Sequence, residues 1–345
     1  VFCSRYVLLR QRLPQRQAME DADNVALLQQ GAVSVAHRGV PHGGAQGVGG
    51  GVQQMLHTAG VLKMQMAQQP VYYPFSEVVL DNGRRLVSSD LQQDADGRYQ
   101  IDYADFEAKI VDNQAKLFLL CSPHNPVGRV WSREELLTLG RICQKHHVTV
   151  FSDEIHADFV WQGEQQVFAA VGPAFAQFSM IATSPSKTFN IAGLQVSNLF
   201  IPEEALRKKF RRIYNASGYS QLNAAGIVAA EAAYTHGEVW YNAVNDYLCG
   251  NIAYMAEFLR TRLPQLTMHA PEGTYLVWVD FRRLGLSPDA LEDFILHKAK
   301  LWLDSGAIFG TVGQGFQRFN IACPRATLTQ ALIQLETAVN ELTQS

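Results

Sequence analysis

One lysine in this sequence stands where covalent chemistry can occur. Lys187 follows the apolar run 178–183 and lies in the segment SPSKTFNIAGLQVSN, residues 184–198, among small and hydroxyl side chains. A partly desolvated pocket lowers the pKa of a lysine amine, which can then form a Schiff base with an aldehyde. An ordinary surface lysine after a strand is the alternative, and the segment alone does not decide between the two.

Lys187 shares its position after an apolar run with other polar residues. KLFLLC, VTVFS and SMIAT are continuous apolar runs, which are typical of strands buried on both faces of a parallel sheet. Each run is followed by polar side chains: Asn125, then Asp153 and His156, then Ser184 and Lys187. Ligands in open α/β sheets bind beyond the carboxyl ends of the strands. The three clusters therefore predict one site at one edge of a sheet.

The segments between these runs predict the elements that position the site. Ser132 and Glu135 form a capping box at the start of a helix that separates the first two runs. This alternation predicts an α/β fold with a mostly parallel sheet flanked by helices. We expect a large α/β domain over 69–240 and a smaller α+β domain over 241–345, with strands at TYLVWVDF and GFQRFNIAC.

Two segments near the beginning of the chain have a different character. PVYYPFSEVVLDNGRRLV, residues 70–87, is rich in β-branched and aromatic residues, which predicts a strand with a tight turn at DNG. Residues 1–68 are expected to be poorly ordered, because 33–52 is dense in glycine and histidine without helical or strand periodicity. A phosphate cradle or a histidine metal site are alternatives there, but the spacing matches neither, so no metal is predicted.

Composition excludes several classes of protein. The 345 residues suggest about two domains, and a net charge of −3 gives no basic bias toward nucleic acid or an anionic membrane. No apolar run is long enough to span a membrane, and no signal peptide is evident at the start. The five cysteines are scattered without metal-like spacing, which predicts reduced thiols in a cytoplasmic protein.

Four motifs carry a resemblance to a known family. SPHNPVGR, SDEIHADFVW, SPSKTFNIAGLQ and FNIACPR, in this order, resemble fold-type I pyridoxal 5′-phosphate enzymes of the class I/II aminotransferase superfamily. DEIHADFVW, SKTFNIAGL and NIACPR are most similar to its bacterial C–S lyase branch, the cystathionine β-lyase and cysteine-S-conjugate β-lyase types. The resemblance covers the chain from about residue 70 to the C-terminus and implies a fold of the transferase type.

The resemblance implies a role for each candidate residue. Lys187 would bind the cofactor aldehyde and later remove the substrate α-proton, and Asp153 would keep the pyridine nitrogen protonated. The remaining roles are ring stacking by Tyr72, a hydrogen bond to the phenolic oxygen from Asn125, a phosphate contact from Ser184, and a substrate-carboxylate clamp by Arg325. His156 would either tune the electronics of the cofactor ring or be a neighbouring side chain with its hydrogen bonds satisfied, and we favour the second role. Taken singly, most of these residues have ordinary structural explanations.

The implied activity is carbon–sulfur β-elimination, giving a thiol, pyruvate and ammonia from cystathionine, cysteine or an S-conjugate. Gln195 and His156 stand where aminotransferases usually have arginine and tyrosine, which favours the lyase over an aminotransferase. The N-terminal segment does not spell the family's phosphate-binding motif. We therefore expect a truncated or frame-shifted start, and a catalytically impaired remnant or regulatory protein is a further alternative. Family members are homodimers, which implies the same assembly here.

Overall fold

The computed structural model describes residues 64–218 and 222–344. A six-stranded sheet has the order β2-β1-β5-β6-β7-β8, and all its neighbouring strands are parallel except the β7–β8 pair. Its strands are β1 (Met64–Ala67), β2 (Arg85–Ser88), β5 (Leu117–Cys121), β6 (Thr149–Asp153), β7 (Ser179–Thr183) and β8 (Asn198–Phe200). A separate hairpin joins β3 (Gln92–Gln93) to β4 (Tyr99–Gln100). The predicted mostly parallel α/β fold is confirmed.

Helices cover both faces of this sheet. The helices of this part of the chain are α1 (Pro74–Asp81), α2 (Tyr103–Asn113), α3 (Arg133–Lys145), α4 (Phe168–Val171), α5 (Pro185–Thr188), α6 (Glu204–Ala216) and α7 (Ala224–His236). Buried side chains of α2, α3 and α4 join one core cluster, and those of α1 and α6 join the other. The predicted capping box is present at the start of α3, where the Ser132 hydroxyl and the Glu135 side chain each accept a backbone N–H. Alternate strand residues face opposite sides, so Phe118 and Leu117 enter two different core clusters. This two-sided burial explains the continuous apolar runs in the sequence.

Two expectations about the N-terminal part of the sheet need correction. Residues 74–81 of the segment predicted as a strand form α1, because Phe75, Val78 and Val79 bury one helical stripe and Pro74 occupies a first-turn position that tolerates proline. Residues 85–87 of the same segment do belong to a strand, β2. Residues 64–67, which we assigned to a poorly ordered segment, form β1 inside the sheet. The glycine- and histidine-rich part of that segment lies outside the described residues.

The C-terminal part is built on an antiparallel sheet. Its four strands have the order β11-β12-β10-β9, with β9 (Thr267–Met268), β10 (Leu276–Asp280), β11 (Asp304–Ser305) and β12 (Phe316–Asn320). The accompanying helices are α8 (Glu238–Arg262), α9 (Pro288–Asp293), which continues as a π-helical turn, and α10 (Arg325–Gln344). Trp278 and Phe316 reach the core on one face of the large sheet. No described helix is long and apolar enough to cross a membrane.

Candidate active site

A cavity of about 270 Å³ lies where the large sheet meets the small one. Cys121, Asp153 and Lys187 line it from the carboxyl ends of β5 and β6 and from the turn after β7. The small sheet contributes Leu276 and Arg318. The remaining lining residues are Tyr72, Tyr73, Asn125, Ile155, His156, Tyr275, Asp304 and Asn320. Strand ends that are remote in sequence thus converge, as parallel topology requires.

Lys187 is carried by a single helical turn directly after β7. Ser184 caps this turn, since its hydroxyl oxygen accepts the backbone N–H of Ser186 at 3.0 Å. Burial lowers the pKa of the Lys187 amine, and the negative charge of Asp153 opposes part of that effect. A half-buried amine with a lowered pKa holds its proton less tightly than a surface lysine. Lys187 therefore suits nucleophilic attack on a carbonyl and proton transfer.

Asp153, at the end of β6, is a buried carboxylate that faces the same cavity. Only 2% of the residue is exposed, and its Oδ1 accepts the backbone N–H of Ile155 at 3.2 Å. Burial raises the pKa of this carboxyl to about 7, although the Ile155 N–H and the charge of Lys187 both lower it. Within the described residues it has no ion pair shorter than 4 Å. A carboxylate so placed is stabilised by a cationic N–H group in the cavity.

His156 and Asn125 supply neutral polar groups beside it. His156 is 3% exposed, and burial lowers its pKa to about 3, so the ring is neutral near pH 7. Its Nδ1 has no hydrogen-bond partner among the described residues, contrary to the expectation of a satisfied neighbour. The side-chain oxygen of Asn125 accepts a hydrogen bond from Arg318 Nη1 at 2.8 Å. That bond leaves the amide nitrogen of Asn125 as a donor.

Tyrosines form the aromatic wall of the cavity. Tyr72 and Tyr73 lie side by side with ring centroids 5.7 Å apart, at the start of α1. Burial is the main reason that the pKa of Tyr72 is raised, and the charge of Asp153 adds to it. Across the cavity Tyr275 packs edge-on against His156 at 5.7 Å. A planar ring could therefore stack on Tyr72 as the resemblance implies.

Two of the predicted site residues lie outside the cavity lining. The hydroxyl of Ser184 donates its proton to the backbone oxygen of Val196, so it has none left for a phosphate in this structure. Arg325 begins α10 and donates from Nε to Asn251 at 2.7 Å, with its guanidinium over the ring of Tyr254 at 4.6 Å. Both of these partners of the Arg325 guanidinium lie on α8.

The arginine that lines the cavity is Arg318, which the sequence analysis did not single out. It lies on β12 directly opposite Asp304 of β11 and Trp278 of β10. Its guanidinium lies over the ring of Phe309 at 4.8 Å. The period of two along FQRFN places Arg318 and Asn320 on one face of the strand, and that alternation is the signal that could have identified it.

These residues fit pyridoxal 5′-phosphate. The observation that supports this fit is that a partly desolvated lysine lies in the same cavity as a buried carboxylate. That carboxylate has no ion pair among the described residues, and the cationic ring nitrogen of the cofactor would provide one. Lys187 would hold the aldehyde carbon, Asp153 the ring nitrogen, the Asn125 amide N–H the phenolic oxygen, and Tyr72 the ring face. The phosphate contacts expected near the glycine-rich segment lie outside the described residues.

Comparison with known proteins gives concordant results. A sequence model of the family "Aminotransferase class I and II" matches residues 44–335. Cystathionine beta-lyase PatB of Bacillus subtilis (strain 168) is 43% identical over 276 residues, which are 80% of this chain and 71% of that protein.

Two solved structures extend the likeness to the fold. Cystalysin from Treponema denticola, which contains a pyridoxal 5′-phosphate cofactor, has a TM-score of 0.84 at 32% identity, and the match covers 91% of this chain and 77% of that one. The PLP-bound C–S lyase from Staphylococcus hominis has a TM-score of 0.79 at 30% identity, and the match covers 94% and 90%.

Proposed function

The chain belongs to the aminotransferase class I and II family and is a pyridoxal-phosphate-dependent carbon–sulfur β-lyase, and we propose that it acts on cystathionine, cysteine or a cysteine S-conjugate. The products are a thiol, pyruvate and ammonia. The observation that carries the proposal is the convergence of Lys187, Asp153 and Arg318 on one cavity. These three residues provide a proton acceptor, a buried anion and a carboxylate-binding guanidinium.

Lys187 and Asp153 have separate roles in this reaction. Bound pyridoxal phosphate supplies the electron sink that stabilises the negative charge left at Cα when its proton departs. Lys187 takes that proton at Nζ, for which its lowered pKa suits it. Asp153 would keep the ring nitrogen of the bound cofactor protonated by a charge-assisted hydrogen bond. The C–S bond would then break with its electron pair going to sulfur, and the proton taken by Lys187 would be returned to the thiolate to give the thiol. Hydrolysis of the three-carbon remainder by one water molecule would give pyruvate and ammonia.

Arg318 rather than Arg325 is proposed to bind the substrate α-carboxylate. Arg318 lines the cavity, while Arg325 bonds to Asn251 on α8. Two charge-assisted hydrogen bonds contribute about 3 kcal/mol, so Arg318→Ala should raise KM roughly a hundredfold. Arg325→Ala is the matched control and should leave KM within about twofold of the wild-type value. Equal effects of the two substitutions would contradict this assignment.

The reaction itself is tested by following pyruvate released from cystathionine in the absence of any keto acid. We expect release by the wild-type protein, none by Lys187→Ala, and wild-type release by Lys145→Ala, because Lys145 lies on the surface beside Glu107. The visible absorption band of the lysine-linked cofactor should likewise be lost only in Lys187→Ala. Turnover that requires a keto acid would identify an aminotransferase, and failure to bind the cofactor would identify a non-catalytic protein.

We also propose a homodimer. Apolar side chains on α7 and α8 lie in solvent in the single chain, with Val228 65% and Val239 82% exposed. Such a surface is covered when two copies associate. The molar mass in solution, measured by light scattering at several concentrations, tests this assembly, and the mass of a single chain at all of them would refute it.

A cytoplasmic location is the remaining part of the proposal. Cys121, Cys143 and Cys323 are free thiols, which suits a reducing compartment. Cys249 is disulfide-bonded, so the prediction that all the cysteines are reduced is wrong at this position. Fractionation of cells that express the untagged protein, with a periplasmic marker as control, tests it. Recovery with the periplasmic marker would contradict the proposal.

A further inference from the structure

The arginine that faces the cavity forms an ion pair with an acidic side chain. Asp304 of β11 and Arg318 of β12 are direct cross-strand partners, and Asp304 Oδ2 accepts a hydrogen bond from Arg318 Nη2. Both residues line the cavity. The Arg318 side chain is only 10% exposed, whereas that of Asp304 is 41% exposed. Asp304 therefore sits at the rim, between solvent and the guanidinium.

The three nitrogens of the Arg318 guanidinium differ in their hydrogen-bond partners. Nη1 donates to Asn125 at 2.8 Å, Nη2 donates to Asp304, and the buried Nε has no partner among the described residues. A carboxylate that binds a guanidinium side-on uses Nε together with Nη2, because these two N–H groups point in parallel. Of this pair, Nε is free to bind a carboxylate, whereas Nη2 already donates to Asp304.

We propose that Asp304 determines how tightly the enzyme holds carboxylates, by competing with the substrate α-carboxylate for Nη2 of Arg318. This inference rests on the proposed function, in which Arg318 binds that carboxylate. Asp304 yields its hydrogen bond when substrate enters and regains it when pyruvate, itself a carboxylate, departs. The partial exposure of Asp304 suits this exchange, because water can solvate the released side chain.

An orienting role for Asp304 predicts the opposite sign. Arg318 is already positioned by the Asn125 hydrogen bond and by the ring of Phe309 beneath it. Loss of a positioning residue would weaken carboxylate binding, whereas loss of a competitor strengthens it. The two roles are therefore separated by the direction of the change in KM.

The test substitution is Asp304→Asn, which keeps the shape and removes the charge. A partly exposed ion pair contributes up to about 1 kcal/mol, so KM should fall about fivefold with kcat unchanged. Product inhibition by pyruvate should tighten by a similar factor. Asp304→Ala, which also removes the acceptor, should show at least the same fall. The control is Asp280→Asn, because Asp280 forms an ion pair with Arg282 on the same sheet outside the cavity lining.

Binding is also measured without turnover. Alanine is an α-amino acid with no β leaving group, and its titration into the holoenzyme by calorimetry should show the same fivefold gain for Asp304→Asn. An unchanged or weakened affinity for alanine would overturn the competitor role. If wild-type protein released no pyruvate, the proposed function would fail, and the alanine titration would still decide the role of Asp304. Unchanged Tm values for both Asp304 variants confirm that the fold is intact.

Discussion

Substitution of Asp153 should stabilise the cofactor-free protein while it removes activity. Asp153 is 2% exposed, and its carboxyl has a pKa of about 7 instead of the ordinary 3.8 because burial disfavours the charged form. Asp153→Asn replaces it with a neutral side chain of the same shape whose oxygen can still accept the Ile155 N–H. The cost of the buried charge then disappears, and so does the anion that the ring nitrogen needs.

The magnitude follows from the two pKa values. A raised folded-state pKa means that the folded protein binds the proton more tightly, so stability falls as pH rises from about 4 to about 7. With 3.8 unfolded and about 7 folded, ionisation of Asp153 costs about 4 kcal/mol at pH 8 and about 2 kcal/mol at pH 5. The gain from Asp153→Asn should therefore be about 2 kcal/mol larger at pH 8 than at pH 5.

Thermal unfolding of the cofactor-free proteins at the two pH values measures this difference. At roughly 2 °C per kcal/mol, the Tm advantage of the variant should be about 4 °C larger at pH 8. Glu154, whose buried carboxyl also has a pKa raised to about 7, mainly by burial, is present in both proteins. The charge of Asp153 adds to that rise, so Asp153→Asn also eases the ionisation of Glu154, which changes the Tm difference in the same direction. The variant should release no pyruvate.

Asp94→Asn is the matched control. Asp94 is partly exposed, and hydrogen bonds from the Gln100 side chain and from backbone N–H groups lower the pKa of its carboxyl. Its stabilising effect is present above its ordinary pKa and is lost as pH falls below it, so this variant should lose stability equally at pH 5 and pH 8. An equal Tm gain for Asp153→Asn at both pH values, or a loss at pH 8, would refute the electrostatic account.

Two further predictions concern buried residues away from the cavity. Glu272 accepts hydrogen bonds from Nε of the buried Arg129 at 2.9 Å and from the backbone N–H of Val130. Glu272→Ala should therefore cost about 3 kcal/mol and lower Tm by roughly 6 °C. Glu257 forms an exposed ion pair, so Glu257→Ala should leave Tm unaltered, and equal Tm shifts for the two variants would contradict the role of burial. A Cβ at Gly140 would lie 2.0 Å from a buried phenylalanine ring, so Gly140→Ala should lower chemical-denaturation stability by about 1–3 kcal/mol. A Cβ at Gly193 would meet nothing within 4 Å, so Gly193→Ala should not lower the stability. Similar losses of stability in the two variants would argue against overpacking at Gly140.

Much of the fold was predictable from local sequence. The apolar runs that became β5, β6 and β7 are buried on both faces, and this burial favours apolar residues at most positions. The capping box before α3 is a local hydrogen-bond pattern and was equally readable. The polar residues after these strands converge because parallel strands end at one edge, so Asn125, Asp153 and Lys187 were predictable together.

Elements whose conformation depends on distant partners were less predictable. The segment PFSEVVLD has β-branched residues and reads as a strand, but it forms α1 because helical spacing lets Phe75, Val78 and Val79 pack on the sheet. The short β1 was missed because its buried polar residue Gln65 breaks the apolar pattern, and pairing with β2 and β5 decides its conformation.

The sequence by itself determined the chemistry of the site, because a lysine, a carboxylate and an amide after three buried strands converge in any parallel sheet. Only the tertiary structure decided which arginine joins them. Arg318 directly precedes the motif FNIACPR and Arg325 ends it, but pairing of β12 with β10 and β11 turns Arg318 toward the cavity. Arg325 begins a helix that packs on α8, where Asn251 and Tyr254 hold its guanidinium. Strand register and helix packing are set by distant contacts, and no local pattern specifies them.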